Sequence, residues 1–198
     1  MTPAGEPPGV IGLIASAAAG AETIRTDFVE PALRRGWRVA ITLTPTASTW
    51  LAHTGERARL ELRTGMVVRD EPRLPGDERP HPPVTCYVVA PTTANTVAKL
   101  ALGIGDNQAL TTACEALGDP AVPVIVFPRV NAAHVRHPAW ASHLTALRAA
   151  GAHLVWGPEV WPLAEPGAED PGRTLPWGVI LDLVDQVTAG RRDPEQEK

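Results

Sequence analysis

Short, continuous apolar runs alternate along this chain with stretches of helical periodicity. Val10-Ile11-Gly12-Leu13-Ile14-Ala15 is apolar throughout, the pattern of a strand buried on both faces. Val39 to Thr44, Val84 to Ala90, Val122 to Phe127 and His153 to Trp156 read the same way. Between them, Val97, Leu100, Ala101 and Ile104 fall on one helical face, and Leu110, Ala113, Cys114 and Leu117 repeat that spacing. An earlier stripe of Ile24, Phe28, Val29, Ala32 and Leu33 stops at Gly36. Pro31 is expected to kink that helix or to sit in its first turns. Further helices are predicted over 46–53, from Trp140 to near Gly151, and from Trp177 to Val187. The stretches 69–83 and 161–174 carry no periodicity and read as loops.

Buried strands alternating with helices predict an α/β fold: a three-layer, Rossmann-like, doubly wound parallel sheet. The pattern fits a single domain over 10–188, flanked by a tail at 1–9 and a polar tail at 189–198. In such a fold, ligands bind at the carboxyl ends of the strands. The loops after residues 15, 44, 90 and 128 are therefore the candidate chemistry.

Composition narrows the partners. A formal charge of −4 and the lack of a dense Lys/Arg run argue against a general nucleic-acid binder. No apolar run approaches the ~20 residues that span a bilayer. The first residues lack the basic stretch of a signal peptide, and the two cysteines, expected as free thiols, suggest the cytoplasm. Cys86 and Cys114 lie in apolar segments and read as two thiols, with no metal-ligand spacing around them. Trp140, Trp161 and Trp177 fall near element ends, where an interface between subunits is expected to use them.

Each candidate loop has its own chemistry. Ala15-Ser16-Ala17-Ala18-Ala19-Gly20 is small enough for backbone to approach an anion at a helix start. It matches neither the dinucleotide fingerprint nor a P-loop. Thr44-Pro45-Thr46-Ala47-Ser48 offers hydroxyls at a helix start, suited to a phosphate. Pro91-Thr92-Thr93-Ala94-Asn95-Thr96 presents hydroxyl, small and amide side chains, suited to the edge of a flat heterocycle. Ordinary capping by Ser16, Thr46, Ser48 or Asp106 would use the same residue types. In Pro128-Arg129-Val130-Asn131-Ala132-Ala133-His134-Val135, Arg129 suits an anion, and Asn131 donates without fixed charge. A surface Arg and a solvated His are the alternative there.

The order and spacing of these segments resemble the flavin-containing cysteine decarboxylase family. That family includes phosphopantothenoylcysteine decarboxylases and the enzymes that oxidatively decarboxylate C-terminal cysteines of peptides. Pro91 to Thr96 is similar to the family's Pro-Ala-Ser-Ala-Asn-Thr, and Gly103-Ile104-Gly105-Asp106-Asn107 to its Gly-Ile-Cys-Asp-Asn. Pro128 and Asn131 match its Pro-x-Met-Asn-x-x-Met-Trp, whereas Val130, His134 and Val135 depart from it. The resemblance implies FMN as cofactor, held by Ser16, Ala17, Thr44, Thr46, Thr93, Ala94, Asn95 and Thr96, with Arg129 at the flavin edge. It implies Asn131 as the grip on a substrate carboxylate and Arg173, after Gly172, as part of a substrate clamp.

The family's base is a His ahead of the third strand. Here His81 is available, closer to Pro91 than the family has it, and His134 is a second candidate. No Cys follows Cys114, which argues against the reductive coenzyme A pathway step and leaves room for oxidative decarboxylation of a small-molecule or peptide thiol. Two other readings stay open: a flavoprotein with different redox chemistry, and a non-catalytic regulatory flavoprotein that binds a partner protein. The resemblance also implies a homotrimer, or a dodecamer of trimers, with 91–107 near the subunit boundary.

Overall fold

The computed structural model describes residues 8–168 and 173–189. The tail ends 1–7 and 190–198, together with Gly172, lie outside the described residues. Five parallel strands form one sheet: β1 (Val10–Ala15), β2 (Arg38–Leu43), β3 (Cys86–Thr92), β4 (Val124–Pro128) and β5 (His153–Leu154). Their order is β2-β1-β3-β4-β5, so the direction of winding reverses between β1 and β3. Alternation along β1 sends Ile11, Leu13 and Ala15 to one face and Ile14 to the other. This is the doubly wound, three-layer fold that the apolar pattern predicts.

On the first face lie α1 (Glu30–Arg34), α2 (Pro45–His53), α3 (Glu56–Thr64) and α8 (Trp177–Ala189), with Phe28, Leu51, Leu60, Ile180 and Val184 in the core. On the second lie α4 (Ala94–Ala101), α5 (Gln108–Gly118) and α7 (Trp140–Ala149), with Val97, Leu110 and Leu144 in a separate core. The short α6 (Ala132–Val135) follows β4.

Pro31 lies in the first turn of α1, one of the two placements expected for it. It has no N–H to give the carbonyl four residues back, and the turn before it, Arg25–Val29, widens to π geometry. Gly36 stops the helix at φ 88, in the left-handed region.

Four expectations are corrected. Pro91 lies inside β3 instead of ending it. The ladder to β4 shifts register between Val89 and Thr92, so the missing N–H falls at an irregularity. Ile104 is not on the α4 face. The helix ends at Ala101, Gly103 turns left-handed at φ 69, and Ile104 and Leu102 are exposed. Helix α3 has no counterpart in the apolar pattern, because Leu60 is its one buried residue. Finally, Trp140, Trp161 and Trp177 are buried within the chain, at 5%, 3% and 2% exposure, so they offer no surface to a partner. Trp50, half exposed on α2, is the tryptophan that faces out.

Candidate functional site

The reversal point between β1 and β3 is where a doubly wound sheet opens a crevice. Backbone hydrogen bonds join the loops there side by side. Thr44 N donates to Ala15 O at 2.9 Å, Ser16 N to Pro91 O at 3.0 Å, and Arg129 N to Thr92 O at 2.9 Å. All four strand-end loops therefore form one continuous rim.

Ser16 is the fastener of that rim. Its hydroxyl donates to Pro91 O at 2.9 Å and accepts from Thr93 N at 3.0 Å, in a buried setting. Its one proton is thus used within the chain, and Ala17 is the partly buried neighbour that borders the crevice. Ser16→Ala leaves the Thr93 N–H without its acceptor, which costs about 1–3 kcal/mol. For a chain of this size that lowers Tm by roughly 2–4 °C per kcal/mol. Calorimetry on the variant checks it, and an unchanged Tm would show the fastener to be idle.

Thr93 caps α4. Its Oγ1 accepts from Thr96 N at 3.3 Å and lies 3.1 Å from Thr96 Oγ1. Ala94 is half-buried beside it. Asn95 is exposed at the first turn, and its amide makes no hydrogen bond to any described residue. Thr44 caps α2, accepting from Ala47 N at 3.4 Å, and Thr46 is exposed in that helix's first turn. Ser48 is drawn elsewhere: it donates to Asp70 Oδ2 at 2.6 Å, and Arg57 grips both oxygens of Asp70 at 2.8 and 3.1 Å. Thr46, Asn95 and the helix starts are what these two loops leave for a ligand.

At the fourth loop Asn131 caps α6. Its Oδ1 accepts from His134 N at 3.1 Å and lies 2.8 Å from His134 Nδ1. An amide oxygen cannot donate, so Nδ1 carries a proton, and in the neutral ring Nε2 is the acceptor. The Asn131 NH2 group makes no hydrogen bond to a described residue. The guanidinium of Arg129 lies 4.5 Å from the Trp161 ring centre, and that of Arg173 lies 4.3 Å from it. Trp161 packs edge-on against Phe127 of β4, at 6.1 Å. Arg173 also donates to Pro162 O at 2.9 Å. A two-pronged pair between Arg136 and Glu165, at 2.7 and 2.8 Å, and a bond from Ala132 N to Ala164 O tie the 161–168 loop to α6. The sequence named Arg129, Asn131, His134 and Arg173 separately. Trp161, the ring that gathers the two arginines, was readable only as an aromatic near an element end.

His81 stands apart within the chain. Its Nε2 lies 2.8 Å from Val67 O, and it lines a groove whose walls include none of Ser16, Thr44, Thr93 or Asn131. Burial, reinforced by Arg69, holds its imidazole below the usual range, while the Val67 carbonyl opposes the shift.

The fold and rim define a flavoprotein-type α/β domain. The chain belongs to the Flavoprotein family, whose model matches residues 10–189. It is similar in fold to the FMN-dependent cysteine decarboxylase TvaF from thioviridamide biosynthesis. The TM-score is 0.66 at 24% identity, covering 91% of this chain and 98% of that one. It is likewise similar to the peptidyl-cysteine decarboxylase EpiD, with a TM-score of 0.64 at 22% identity, over 89% and 98% of the two chains. Over 69 residues it is 38% identical to a cysteine/cysteine sulfinic acid decarboxylase from an unknown prokaryotic organism. That stretch is 35% of this chain and 18% of the relative, so the match spans under a fifth of the relative's length. Among the described residues no helix is long and apolar enough to cross a membrane, and no group of acidic, His or Cys side chains is placed to hold a metal.

Proposed function

We propose that this chain binds FMN in the crevice between β1 and β3 and oxidatively decarboxylates a small-molecule or peptide thiol carboxylate. The continuous rim of four strand-end loops, which leaves the Asn95 amide and the Asn131 NH2 group unused, is the observation that carries the reading. The residues fit FMN. Thr44, Thr46 and the α2 start suit its phosphate, and Ala17 and Ala94 leave room for a flat ring. Thr93, Asn95 and Thr96 would hold the edge of that ring, and Ser16 holds the first and third loops together. Bound FMN supplies a two-electron acceptor.

The other steps fall to the protein. Asn131 Nδ2 donates to the substrate carboxylate and fixes the carbon–carbon bond that breaks. Arg129 and Arg173, steadied on Trp161, make the approach favourable for an anion. An imidazole takes the thiol proton. His134 Nε2 is free for that task beside Asn131, and His81 is the second candidate. Loss of both Met and the Trp around Asn131 favours a substrate unlike that of the peptide enzymes, which keeps other redox chemistry, or a regulatory role, as the second reading.

The purified chain is expected to be yellow and to release FMN on heating. Under anaerobic conditions a cysteine-containing compound is expected to bleach it with release of CO2. Colourless protein that ignores added FMN would reject the first half of the proposal, and bleaching without CO2 the second. We further propose a homotrimer, or a dodecamer built from it, with exposed Leu102 and Ile104 after α4 at the contact. Light scattering coupled to size exclusion is expected to give at least three times the chain mass, and a monomeric mass with flavin bound would overturn it.

A further inference from the structure

The second face of the sheet is covered by α4, α5 and α7 beside β3, β4 and β5. Beside β1 and β2 it is covered by α5 on one side and by the irregular 72–84 stretch on the other. A groove of about 930 Å³ opens there, floored by Gly12, Ala40 and Thr42. That volume is at the upper end of the range of small-molecule sites.

Arg69 is built rigidly into the groove. Its N–H donates to Ile41 O at 2.9 Å, and its carbonyl accepts from Leu43 N at 2.7 Å, so it extends the sheet edge beside β2. Its side chain is half-buried and lines the groove with Arg73, Arg79 and His81. Four other arginines pair with carboxylates: Arg25 with Glu56, Arg35 with Asp185, Arg57 with Asp70 and Arg136 with Glu165, all at 2.7–2.9 Å. Neither Arg69 nor Arg79 has an ion pair or a side-chain hydrogen bond with a described residue, and Arg73 donates to a backbone carbonyl, Asp77 O.

A desolvated guanidinium without a counter-charge is costly, and burial together with Arg73 lowers the proton affinity of Arg69. Chains keep such groups where an anion completes them. Glu115 and Asp119, from α5 and its end, line the same groove and confine negative charge to the arginine end.

We propose that this groove is an anion-binding site, separate within one chain from the flavin crevice, with Arg69 as its anchor and Arg79 and Arg73 beside it. Its ligand carries one carboxylate or phosphate and is uncharged or cationic toward Glu115.

The test is titration of the full chain with inorganic phosphate and, separately, with acetate at low ionic strength. The readout is the Nε–H resonance of Arg79, which lines the groove and is present in wild type and in both variants. Saturable binding is expected, and the tighter anion identifies the ligand chemistry as phosphate or carboxylate. Removing a charged hydrogen bond in Arg69→Gln is expected to weaken binding about tenfold or more. Glu115→Gln, at an exposed position that leaves folding intact, is expected to tighten it. Shifts that stay linear with anion concentration, or equal affinity in wild type and both variants, would overturn the proposal. So would loss of bound FMN in Arg69→Gln, because the groove would then belong to the flavin phosphate. Anion binding is read without turnover, so failure of the decarboxylase reading would leave this result standing.

Discussion

Asn131→Ala is expected to lower kcat/KM about 10²- to 10³-fold while leaving FMN bound. The side chain has two tasks in the structure and one in the proposed reaction, and alanine removes all of them. In the proposed reaction it donates a charge-assisted hydrogen bond to the substrate carboxylate, worth about 1.5–3 kcal/mol. It caps α6, worth about 0.5–2 kcal/mol. It also holds the His134 ring through Nδ1. Asn131→Asp separates these roles. The aspartate keeps an oxygen for the His134 N–H and Nδ1–H, so the cap survives, but it faces the substrate with like charge. Activity is therefore expected to fall at least as far in Asp as in Ala, with stability held in Asp alone. An Asp variant with wild-type kcat/KM would remove Asn131 from substrate binding. The pH profile of kcat/KM assigns the base. Its acidic limb is expected to vanish in His134→Asn and to persist in His81→Asn, and the opposite result would give the proton transfer to His81.

Trp177→Ala is expected to produce the largest loss of stability, about 3–5 kcal/mol. Trp177 begins α8, is buried at 2% exposure, and lies with its ring centre 5.2 Å from that of Phe28. Phe28 belongs to the π turn that precedes Pro31, so the pair joins two of the helical elements that cover the first face. Removing the indole leaves a cavity between elements that the sheet cannot collapse into. At roughly 2–4 °C per kcal/mol, Tm is expected to fall by about 6–20 °C. Trp177→Phe keeps an aromatic partner for Phe28 and removes an indole N–H that is buried without a hydrogen bond. Its loss is expected to stay under about 2 kcal/mol. Thermal unfolding of both variants checks the pair, and an alanine variant within about 1 kcal/mol of wild type would show that the contact carries little.

The continuous apolar runs of β1, β2 and β4 can be satisfied only when both faces are covered. The sequence alone therefore determined the parallel sheet, the helices between its strands, and the strand ends that carry the candidate site. The Thr93-Ala94-Asn95-Thr96 turn was also legible, because its capping chemistry and its spacing from Asp106 are local. What is not local had to come from the tertiary structure. Helix α3 buries only Leu60, so its hydrophobic signal is too thin to register. Ser16 reads as a loop hydroxyl until Pro91 and Thr93, over seventy residues away, use it on both sides. Ser48 reads as a helix cap, or as one of several loop hydroxyls, until Asp70 claims it. Trp161 becomes a platform for Arg129 and Arg173 only once the 161–168 loop is laid against α6. Arg69 is one arginine among many until the sheet edge buries it without a carboxylate. Periodicity reports which face of an element must leave water, because burial of apolar surface repeats with the backbone. Which hydroxyl, ring or charge meets which depends on pairings between distant segments, and no local pattern encodes them.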